Sequence, residues 1–281
     1  DRVISLTCFF HLYEKKLKIR SKFFRSAFNV YLCSRKQEIV NDMRYGIIAA
    51  GEGSRLAEEG IAVPKPLVKI QDETLIDRLI RIFIHHGAEE VDVICNGLTP
   101  LVADHLRELE RRGLDGKEVP LRWIQQTTPS SMHSFYALSH IMGSGPFVLT
   151  TVDTIFRECD FADYVTAFRQ ALTAGYDGLM GVTDYIDDEK PLYVGTDADM
   201  NVTGFFDTNN PPCTYISGGI YGLTPRAFDT LEGCMARGES RMRNFQRALL
   251  RDGQQLKAFC FSKVLDIDHK SDIQKAEEFL A

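Results

Sequence analysis

From residue 43 onward, short apolar runs of five or six residues alternate with segments whose apolar positions recur every three or four residues. Such runs predict buried strands, and the longer period predicts helices that bury one face. The spacing Thr74-x-x-Asp77 resembles a capping box and predicts a helix start. The predicted strands cover 45–49, 91–95, 121–125, 146–151 and 178–182, and further predicted helices cover 100–112, 132–142 and 164–172. This succession implies an α/β fold with a mainly parallel sheet and helices on both faces.

The pattern changes between residues 183 and 222. Short β-like runs at 192–194, 202–206 and 215–221 are broken by Asp, Asn, Gly and Pro, which predicts a small antiparallel insertion. Beyond it, the predicted elements are helices at 226–236 and 243–251, strands at 256–261 and 264–268, and a last helix opened by Ser271-x-x-Gln274. Because no repeat or linker interrupts residues 43–281, we expect one continuous domain there.

Residues 1–42 differ in charge from the rest of the chain. They hold nine Lys and Arg against four Asp and Glu, whereas residues 43–281 hold 24 against 35, a net charge of −11. Three interpretations stay open for this basic extension: a loose tail or a segment foreign to the natural protein, an amphipathic helix that docks on an anionic membrane or a partner, and a packed extension. We expect a domain that begins at Met43 to keep its activity.

Composition narrows the class of protein. The 281 residues are 44% hydrophobic and 26% charged, with a net charge of −6, which is typical of a globular protein and argues against a general nucleic-acid binder. The sequence has no run of about 18 apolar residues that would predict a transmembrane span. The seven cysteines are dispersed without zinc or disulfide spacing, which favours buried thiols in a reducing, cytoplasmic location.

A glycine-rich loop follows the first predicted strand, in the sequence Gly46-Ile-Ile-Ala-Ala-Gly51-Glu-Gly53-Ser54-Arg55-Leu56. Glycines at this place let backbone N–H groups approach a phosphate chain without a side-chain clash. Arg55 and the lysine of Pro64-Lys65-Pro66-Leu67 would neutralise the charge of a triphosphate. Leu56 replaces the third glycine of a dinucleotide-binding fingerprint, and no Gly-Lys-Ser/Thr of a Walker loop follows.

With these residues, the sequence resembles the nucleotidyltransferase family that joins an NTP to a phosphorylated sugar. The family signature is a first strand followed by G-x-G-[ST]-R-[LM] and then P-K-P-[LM], which residues 51–56 and 64–67 match. The resemblance extends from Met43 to Ala281, including the run Leu265-Asp-Ile-Asp-His-Lys-Ser-Asp272. It implies a Rossmann-like three-layer α/β/α sandwich of the glycosyltransferase-A-like type, with Mg²⁺ as cofactor. It also implies nucleotide contacts by Ala49, Ala50, Gly51, Gly53, Ser54, Arg55, Lys65, Gln126, Ser130 and Ser131.

Asp153 comes directly after the predicted strand 146–151. Ligands of open α/β sheets gather at the carboxyl ends of strands, so this side chain is a candidate site residue. The resemblance implies that Asp153 holds Mg²⁺ and faces the substrate; a turn-capping aspartate is the alternative. Asp266 and Asp268 flank Ile267 and point to one side if this stretch is extended. Either Asp266 or Asp268 could be the second carboxylate on the metal. The resemblance favours Asp266, and helix capping is the alternative for Asp268.

A weaker match concerns the nucleobase. The segment that contains Gln126, Ser130, Ser131 and His133 lies where the family has a Gly-Thr-Ala turn before a helix. Hydroxyl groups at a helix start can hold a base edge or a phosphate, but they are also ordinary N-caps. Both interpretations of the serines stay open, and His133 is not expected to act as a catalytic base.

Another weaker match concerns the acceptor. The run Tyr215-Ile-Ser-Gly-Gly-Ile-Tyr221 resembles the family's sugar-facing strand, which implies substrate contacts by Gly218, Gly219 and Tyr221. The family's E-K-P before that strand reads Asp207-Thr208-Asn209 here, so its sugar-contacting lysine is missing. Lys190 is a candidate substitute without support from a motif.

The resulting expectation is a Mg²⁺-dependent transfer of a nucleotidyl group from an NTP to a sugar 1-phosphate, with Arg55, Lys65 and Asp153 as catalytic residues. One alternative is the same fold with another acceptor, such as phosphocholine with CTP or a molybdopterin-type cofactor. Another is a glycosyltransferase, although Thr151-Val-Asp153 lacks its D-x-D motif. The last is a non-catalytic nucleotide-sensing subunit. The sequence leaves the base, the acceptor and the oligomeric state open.

Overall fold

The computed structural model describes residues 43–98, 100–187 and 190–281, so the basic extension 1–42 lies outside it and its three interpretations stay predictions. The strands are β1 (Met43–Ala49), β2 (Lys69–Ile70), β3 (Glu73–Thr74), β4 (Ala88–Cys95), β5 (Leu121–Gln125), β6 (Phe147–Thr151), β7 (Thr154–Ile155), β8 (Gly178–Thr183), β9 (Tyr193–Thr196), β10 (Val202–Phe206), β11 (Tyr215–Leu223), β12 (Leu256–Phe261) and β13 (Leu265–Asp266). The α-helices are α1 (Ser54–Glu58), α2 (Leu75–His85), α3 (Pro100–Arg112), α4 (Ser131–Ser139), α5 (Glu158–Ala174), α6 (Arg226–Ala236), α7 (Met242–Arg251) and α8 (Lys270–Leu280).

The central sheet has the predicted parallel half. Strand β1 pairs in parallel with β4 on one side and β6 on the other, and β4 pairs in parallel with β5. In this register, Ile47 of β1 lies opposite Val93 of β4 and Thr150 of β6. The sheet continues through β11 to β8 and β12, which gives the order β5-β4-β1-β6-β11-β8-β12.

The antiparallel segment lies deeper in the sheet than the sequence indicates. Strand β11 runs antiparallel to β6 and to β8, so it lies in the middle of the sheet, and β9 with β10 extends from its first residues. Its glycines weaken the sequence signal of a central strand. They are needed because aromatic side chains pack closely on β11: a Cβ at Gly222 would lie 2.8 Å from the Tyr164 Oη.

Several predicted helix boundaries are wrong by a few residues. Helix α5 begins at Glu158 rather than at 164, since acidic residues in its first turn are favoured by the helix dipole. Helix α4 ends at Ser139, three residues before the predicted end. Thr74 caps α2 by accepting a hydrogen bond from the Asp77 N–H at 3.2 Å, as predicted. The Asp77 carboxylate does not complete the capping box, because it contacts His105.

Two apolar cores cover the two faces of the sheet, which confirms the three-layer sandwich. On one face Tyr45 of β1 stacks on Phe83 of α2, with ring centroids 4.4 Å apart. On the other face Phe147 of β6 stacks on Phe228 of α6 at 5.0 Å. Side chains along β1 alternate between the two cores, as the period of two in a strand requires.

The structure also bears on two predictions from composition. Within the described residues, none of the helices is long and apolar enough to cross a membrane. Cys95, Cys159, Cys213, Cys234 and Cys260 are free thiols. The prediction of buried thiols is right for Cys95 and Cys234 and wrong for Cys159 and Cys260, which lie on solvent-facing positions of α5 and β12.

Candidate functional site

The carboxyl ends of β1 and β6 border a cavity of about 640 Å³, which we call the nucleotide cavity. Most of the predicted site residues line it, namely Ala50, Gly51, Gly53, Ser54, Arg55, Lys65, Ser130, Ser131, Asp153, Asp266 and Asp268. Parallel strands end at the same edge of a sheet, so residues far apart in the sequence meet there.

Gly51 and Gly53 of the glycine loop both line this cavity, and their surroundings differ. Gly53 has a φ of +63° and is the N-cap of α1, and a Cβ there would lie 3.0 Å from the Lys65 Cβ. It therefore meets both a conformational and a steric requirement for glycine. Gly51 has open space around the place of a Cβ, with no heavy atom within 4 Å. Gly51 thus leaves room in the cavity itself.

Lys65 is the central cation of the site. It begins a short 3₁₀ turn, Lys65–Leu67, between two prolines that restrict the backbone. The side chain is only 10% exposed, and its ammonium group bridges the carboxylates of Asp153 and Asp268. The distance from Lys65 Nζ to Asp268 Oδ1 is 2.8 Å, and Arg55 Nη1 lies 3.0 Å from the other oxygen of Asp268.

A two-stranded ribbon brings the acidic residues together. Strand β13 pairs antiparallel with β7, so that Asp266 lies opposite Thr154. The N–H of Ile267 donates a hydrogen bond of 3.1 Å to the carbonyl oxygen of Asp153. The turn after β6 and the segment after β12 are therefore joined through their backbones, and their three aspartates line one cavity.

The charges of this cluster stabilise one another. Burial lowers the pKa of Lys65, but the carboxylates of Asp153 and Asp268 more than offset it, so the pKa is raised. Burial raises the pKa of Asp268, but Lys65 and then Arg55 outweigh it and hold that pKa below its usual value. Lys65 and Asp268 are therefore both charged at neutral pH. The helix-capping alternative for Asp268 is wrong, because its carboxylate binds these two cations.

The last helix is capped by other residues than predicted. His269 is the N-cap of α8, and Asp272 completes the capping box by accepting from the His269 N–H at 2.8 Å. The predicted start at Ser271 and Gln274 is therefore wrong. The side chain of His269 also contacts Glu59 at 2.7 Å, and Glu59 follows the end of α1. This contact ties the glycine loop to the segment that carries Asp268.

The serines at the start of α4 lie at the edge of the nucleotide cavity. Ser130 is the N-cap of α4 and also lines the nucleotide cavity, next to Ser131. The Ser130 hydroxyl lies 2.8 Å from His133 Nδ1, so this histidine supports the loop. Gln126 lies outside the nucleotide cavity and lines a neighbouring depression with His133.

A second cavity of about 640 Å³ adjoins the nucleotide cavity, with which it shares Arg55, Asp266 and Asp268. We call it the acceptor cavity. Gly218 and Lys190 line it. Tyr221 is buried and lines neither cavity, and burial raises the pKa of its phenol. Gly219 faces the turn that carries Asp153, because a Cβ there would lie 3.4 Å from Thr154 Oγ1.

Some lining residues were not expected from the sequence. Thr128 and Ser134 line the nucleotide cavity and lie 2.6 Å apart through their hydroxyl oxygens, and Tyr185 and Ser217 line the acceptor cavity. Isolated hydroxyl residues carry no sequence signal of a site. Conversely, Ala49 is buried in the core of the sheet just before the cavity begins at Ala50.

The aspartates fit a magnesium ion by their chemistry. Mg²⁺ is usually bound by one or two carboxylates, with water and substrate phosphates as its other ligands. Asp153, Asp266 and Asp268 supply carboxylate oxygens in one cavity, although within the described residues no group of three His, Cys, Asp or Glu side chains is arranged to hold a metal ion. Both oxygens of Asp268 contact cations, and Asp153 shares Lys65 with it.

Similar proteins share this fold. The chain is 26% identical over 220 residues to the low-salt glycan biosynthesis nucleotidyltransferase of Haloferax volcanii, a match that covers 75% of this chain and 58% of that protein. The chain spans about half the length of the curated relatives it matches.

Solved structures superpose over most of the chain. The inositol-1-phosphate CTP transferase from T. maritima has a TM-score of 0.66 at 17% identity, covering 85% of this chain and 97% of that one. The UTP-bound UGPase from Acinetobacter baumannii has a TM-score of 0.67 at 16% identity, covering 85% and 93%. At these identities the likeness concerns the fold. The model of the nucleotidyl transferase family matches residues 46–281, and the chain belongs to that family, as its motifs predicted.

Proposed function

We propose that this protein transfers a nucleotidyl group from an NTP to a phosphorylated small molecule, with a sugar 1-phosphate as the favoured acceptor. The observation that carries this proposal is the cluster of Lys65, Arg55, Asp153 and Asp268 beside the glycine loop. It combines cations for phosphate groups with carboxylates for a metal in one cavity. The names of the similar proteins support the reaction class, since they include nucleotidyltransferases and a CTP transferase.

In the proposed reaction, a phosphate oxygen of the acceptor attacks the α-phosphorus of the NTP. The bond from the α-phosphorus to the oxygen that bridges the α- and β-phosphorus breaks, and pyrophosphate leaves with the electron pair of that bond. The attacking oxygen is already anionic, so no general base is required. Catalysis then consists of positioning and of charge neutralisation.

The residues of the nucleotide cavity would have different roles in positioning and in charge neutralisation. Arg55 and Lys65 would stabilise the negative charge that develops on the leaving pyrophosphate. Gly51 and Gly53 would let the loop backbone approach the phosphate chain, since neither adds a side chain there. Ser130 and Ser131 would contact the nucleotide from the start of α4. Asp268 would act as a positioning residue, because it holds Lys65 and Arg55 on one carboxylate.

Asp153 and Asp266 would hold Mg²⁺ as the cofactor. When bound, the ion would neutralise phosphate charge and orient the reacting groups. Lys65 bridges Asp153 and Asp268 in the described structure, so its ammonium already offsets part of the acidic charge. This arrangement supports a site that folds without the ion.

A non-sugar acceptor is the second candidate. It is favoured by Asp207-Thr208-Asn209, where the family's sugar-contacting lysine is missing. Lys190 lines the acceptor cavity and would supply a lysine from another segment, which supports the sugar alternative. The similar protein from T. maritima is an inositol-1-phosphate CTP transferase, so a polyol phosphate is a further candidate acceptor here.

A pyrophosphate-release assay over the four NTPs tests the reaction class. Each NTP is combined with sugar 1-phosphates, inositol 1-phosphate and phosphocholine in the presence of Mg²⁺. Release with one pair, lost in Asp153→Ala and kept in Asp104→Ala on the exposed side of α3, supports the proposal. Tight nucleotide binding without turnover for any pair contradicts it and favours a nucleotide sensor.

A further inference from the structure

A basic groove of about 910 Å³ opens beside the two cavities of the site. Among the described residues its charged lining consists of Lys190, Arg241, Arg243, Arg247 and Asp207, four cations against one carboxylate. These five described side chains carry a net charge of +3, whereas residues 43–281 carry a net charge of −11. A concentrated positive potential on an otherwise acidic domain attracts anions at that place.

The groove is continuous with the proposed site through two contacts. The backbone N–H of Arg241 lies 3.5 Å from the hydroxyl oxygen of Ser130, which lines the nucleotide cavity. Lys190 lines both the groove and the acceptor cavity. A molecule seated in the acceptor cavity would therefore reach the groove with a substituent.

The arginines of the groove are held in place to different degrees. Arg243 and Arg247 both bind Asp207, at 2.6 and 2.7 Å, and they also donate to the carbonyl oxygens of Lys190 and Phe205. Asp207 offsets only one of these two charges. The guanidinium group of Arg241 is exposed, and among residues 43–98, 100–187 and 190–281 it has no hydrogen-bond or ion-pair partner.

The backbone of Arg241 is strained as well. Its φ is +72°, in the region that residues other than glycine rarely adopt. Helix α7 follows directly, with Arg241 as an N-cap that provides no side-chain cap. A glycine would relieve the strain, so the arginine side chain at this position calls for a reason other than local stability.

We propose that the acceptor carries a second anionic group besides its attacking phosphate, a carboxylate or a phosphate, and that Arg241 binds it together with Arg243 and Lys190. This inference rests on the proposed function for the identity of the acceptor cavity. It makes the groove a determinant of specificity, since a neutral acceptor would leave the guanidinium group of Arg241 without a partner among the described residues. An anionic acceptor would gain charge-assisted hydrogen bonds in addition.

The test compares acceptors that differ by one carboxylate-bearing group. Glucose 1-phosphate is matched with glucuronic acid 1-phosphate, N-acetylglucosamine 1-phosphate is matched with N-acetylmuramic acid 1-phosphate, and a hexose 1,6-bisphosphate represents the phosphate alternative. Binding is measured by titration calorimetry and turnover by pyrophosphate release, each in wild type, Arg241→Gln and Arg112→Gln. Arg112 is the matched control, since it is an exposed arginine of α3 and lines none of these cavities.

We expect wild type to bind an anionic acceptor at least about tenfold more tightly than its neutral counterpart, the size of one charge-assisted hydrogen bond. Arg241→Gln should remove most of this preference and leave the affinity for the neutral acceptor and the KM for the NTP unchanged. Arg112→Gln should behave as wild type. Equal affinity for both members of each pair, no binding of any anionic acceptor, or an equal loss for both members in Arg241→Gln overturns the proposal. Selective binding without turnover would retain this inference and refute the proposed function.

Discussion

Asp266 and Asp268 are two residues apart, yet the structure predicts opposite consequences for their removal. The carboxylate of Asp268 accepts from Lys65 at 2.8 Å and pairs with Arg55 at 3.0 Å. Asp266 lines the same cavity as Asp153 and Asp268. The substitutions Asp266→Asn and Asp268→Asn keep the side-chain size and remove one charge each.

The magnitude for Asp268→Asn follows from the exposure of its partners. A hydrogen bond to a charged group contributes about 1.5–3 kcal/mol when buried, and Lys65 is buried, but Asp268 is 37% exposed and solvent screening reduces the gain to about 1 kcal/mol. The pair with the exposed Arg55 adds about 0.5 kcal/mol. We expect the free energy of unfolding to fall by about 1–2 kcal/mol at pH 7, as measured by urea denaturation.

The stability that Asp268 contributes should depend on pH in a defined direction. Lys65 and Arg55 hold the pKa of Asp268 below its unfolded value in spite of burial. Its contribution to stability is therefore present above pH about 4 and is lost as the pH falls through the lowered folded pKa. In Asp268→Asn this part of the acid-induced loss should be absent.

Catalysis should separate the two variants further. Asp266→Asn should raise the Mg²⁺ concentration for half-maximal pyrophosphate release by at least about tenfold, the range found when metal-site residues are changed. Asp268→Asn should lower kcat through the misplaced Lys65 and leave the Mg²⁺ requirement unchanged. The reasoning would be refuted if Asp268→Asn shifted the Mg²⁺ requirement and Asp266→Asn did not, or if Asp268→Asn left stability unchanged.

Three other predictions follow from the site and the core. Gly53→Ala should lower the free energy of unfolding by about 1–2 kcal/mol, because Gly53 has a positive φ and lies close to Lys65. Gly51→Ala should keep the wild-type free energy of unfolding and raise the KM for the NTP. Equal denaturation midpoints for the two variants would contradict this prediction. Asp92 is fully buried beside Arg122, and burial raises the pKa of its carboxyl group to about 6 in spite of that arginine. Between pH 4 and 6 the folded state therefore binds more protons than the unfolded state. The free energy of unfolding should fall by about 3 kcal/mol as the pH rises through that range. Urea denaturation at each pH should show this fall in wild type and not in Asp92→Asn. Chelation with EDTA should abolish pyrophosphate release until Mg²⁺ is added back, without a change in the thermal unfolding midpoint; a large drop in that midpoint would mean that the ion holds the fold together.

The sequence predicted elements whose signal is local. Strands β5, β10 and β12 and helices α3 and α6 begin and end where the apolar period starts and stops. The place of β11 was not predictable in this way, because the position of a strand in a sheet depends on partners such as β6 and β8, which lie far away in the sequence. Glycine is uncommon inside a central strand, and here the glycines admit the aromatic side chains of α5.

The site residues, too, were predictable only where a local motif marks them. The glycine loop, Lys65 and Asp153 were identified because short motifs place them. The bridge from Lys65 to Asp268 was not identified, since no local pattern links residues 203 positions apart. The groove around Arg241 was missed for a related reason: its arginines are spaced as on an ordinary helix surface, and only the fold brings Lys190 and Asp207 to them.

The backbone contacts between the turn after β6 and the strand β13 have a consequence for synthesis of the chain. A ribosome releases the glycine loop and Lys65 early, and the partner segment with Asp268 only after β12. Contacts of such long range form late, because the intervening chain must first be ordered. A nascent or stalled chain that ends before β13 would therefore lack two of the three aspartates of the cavity, and synthesis of β13 and of the turn after it would complete the cluster.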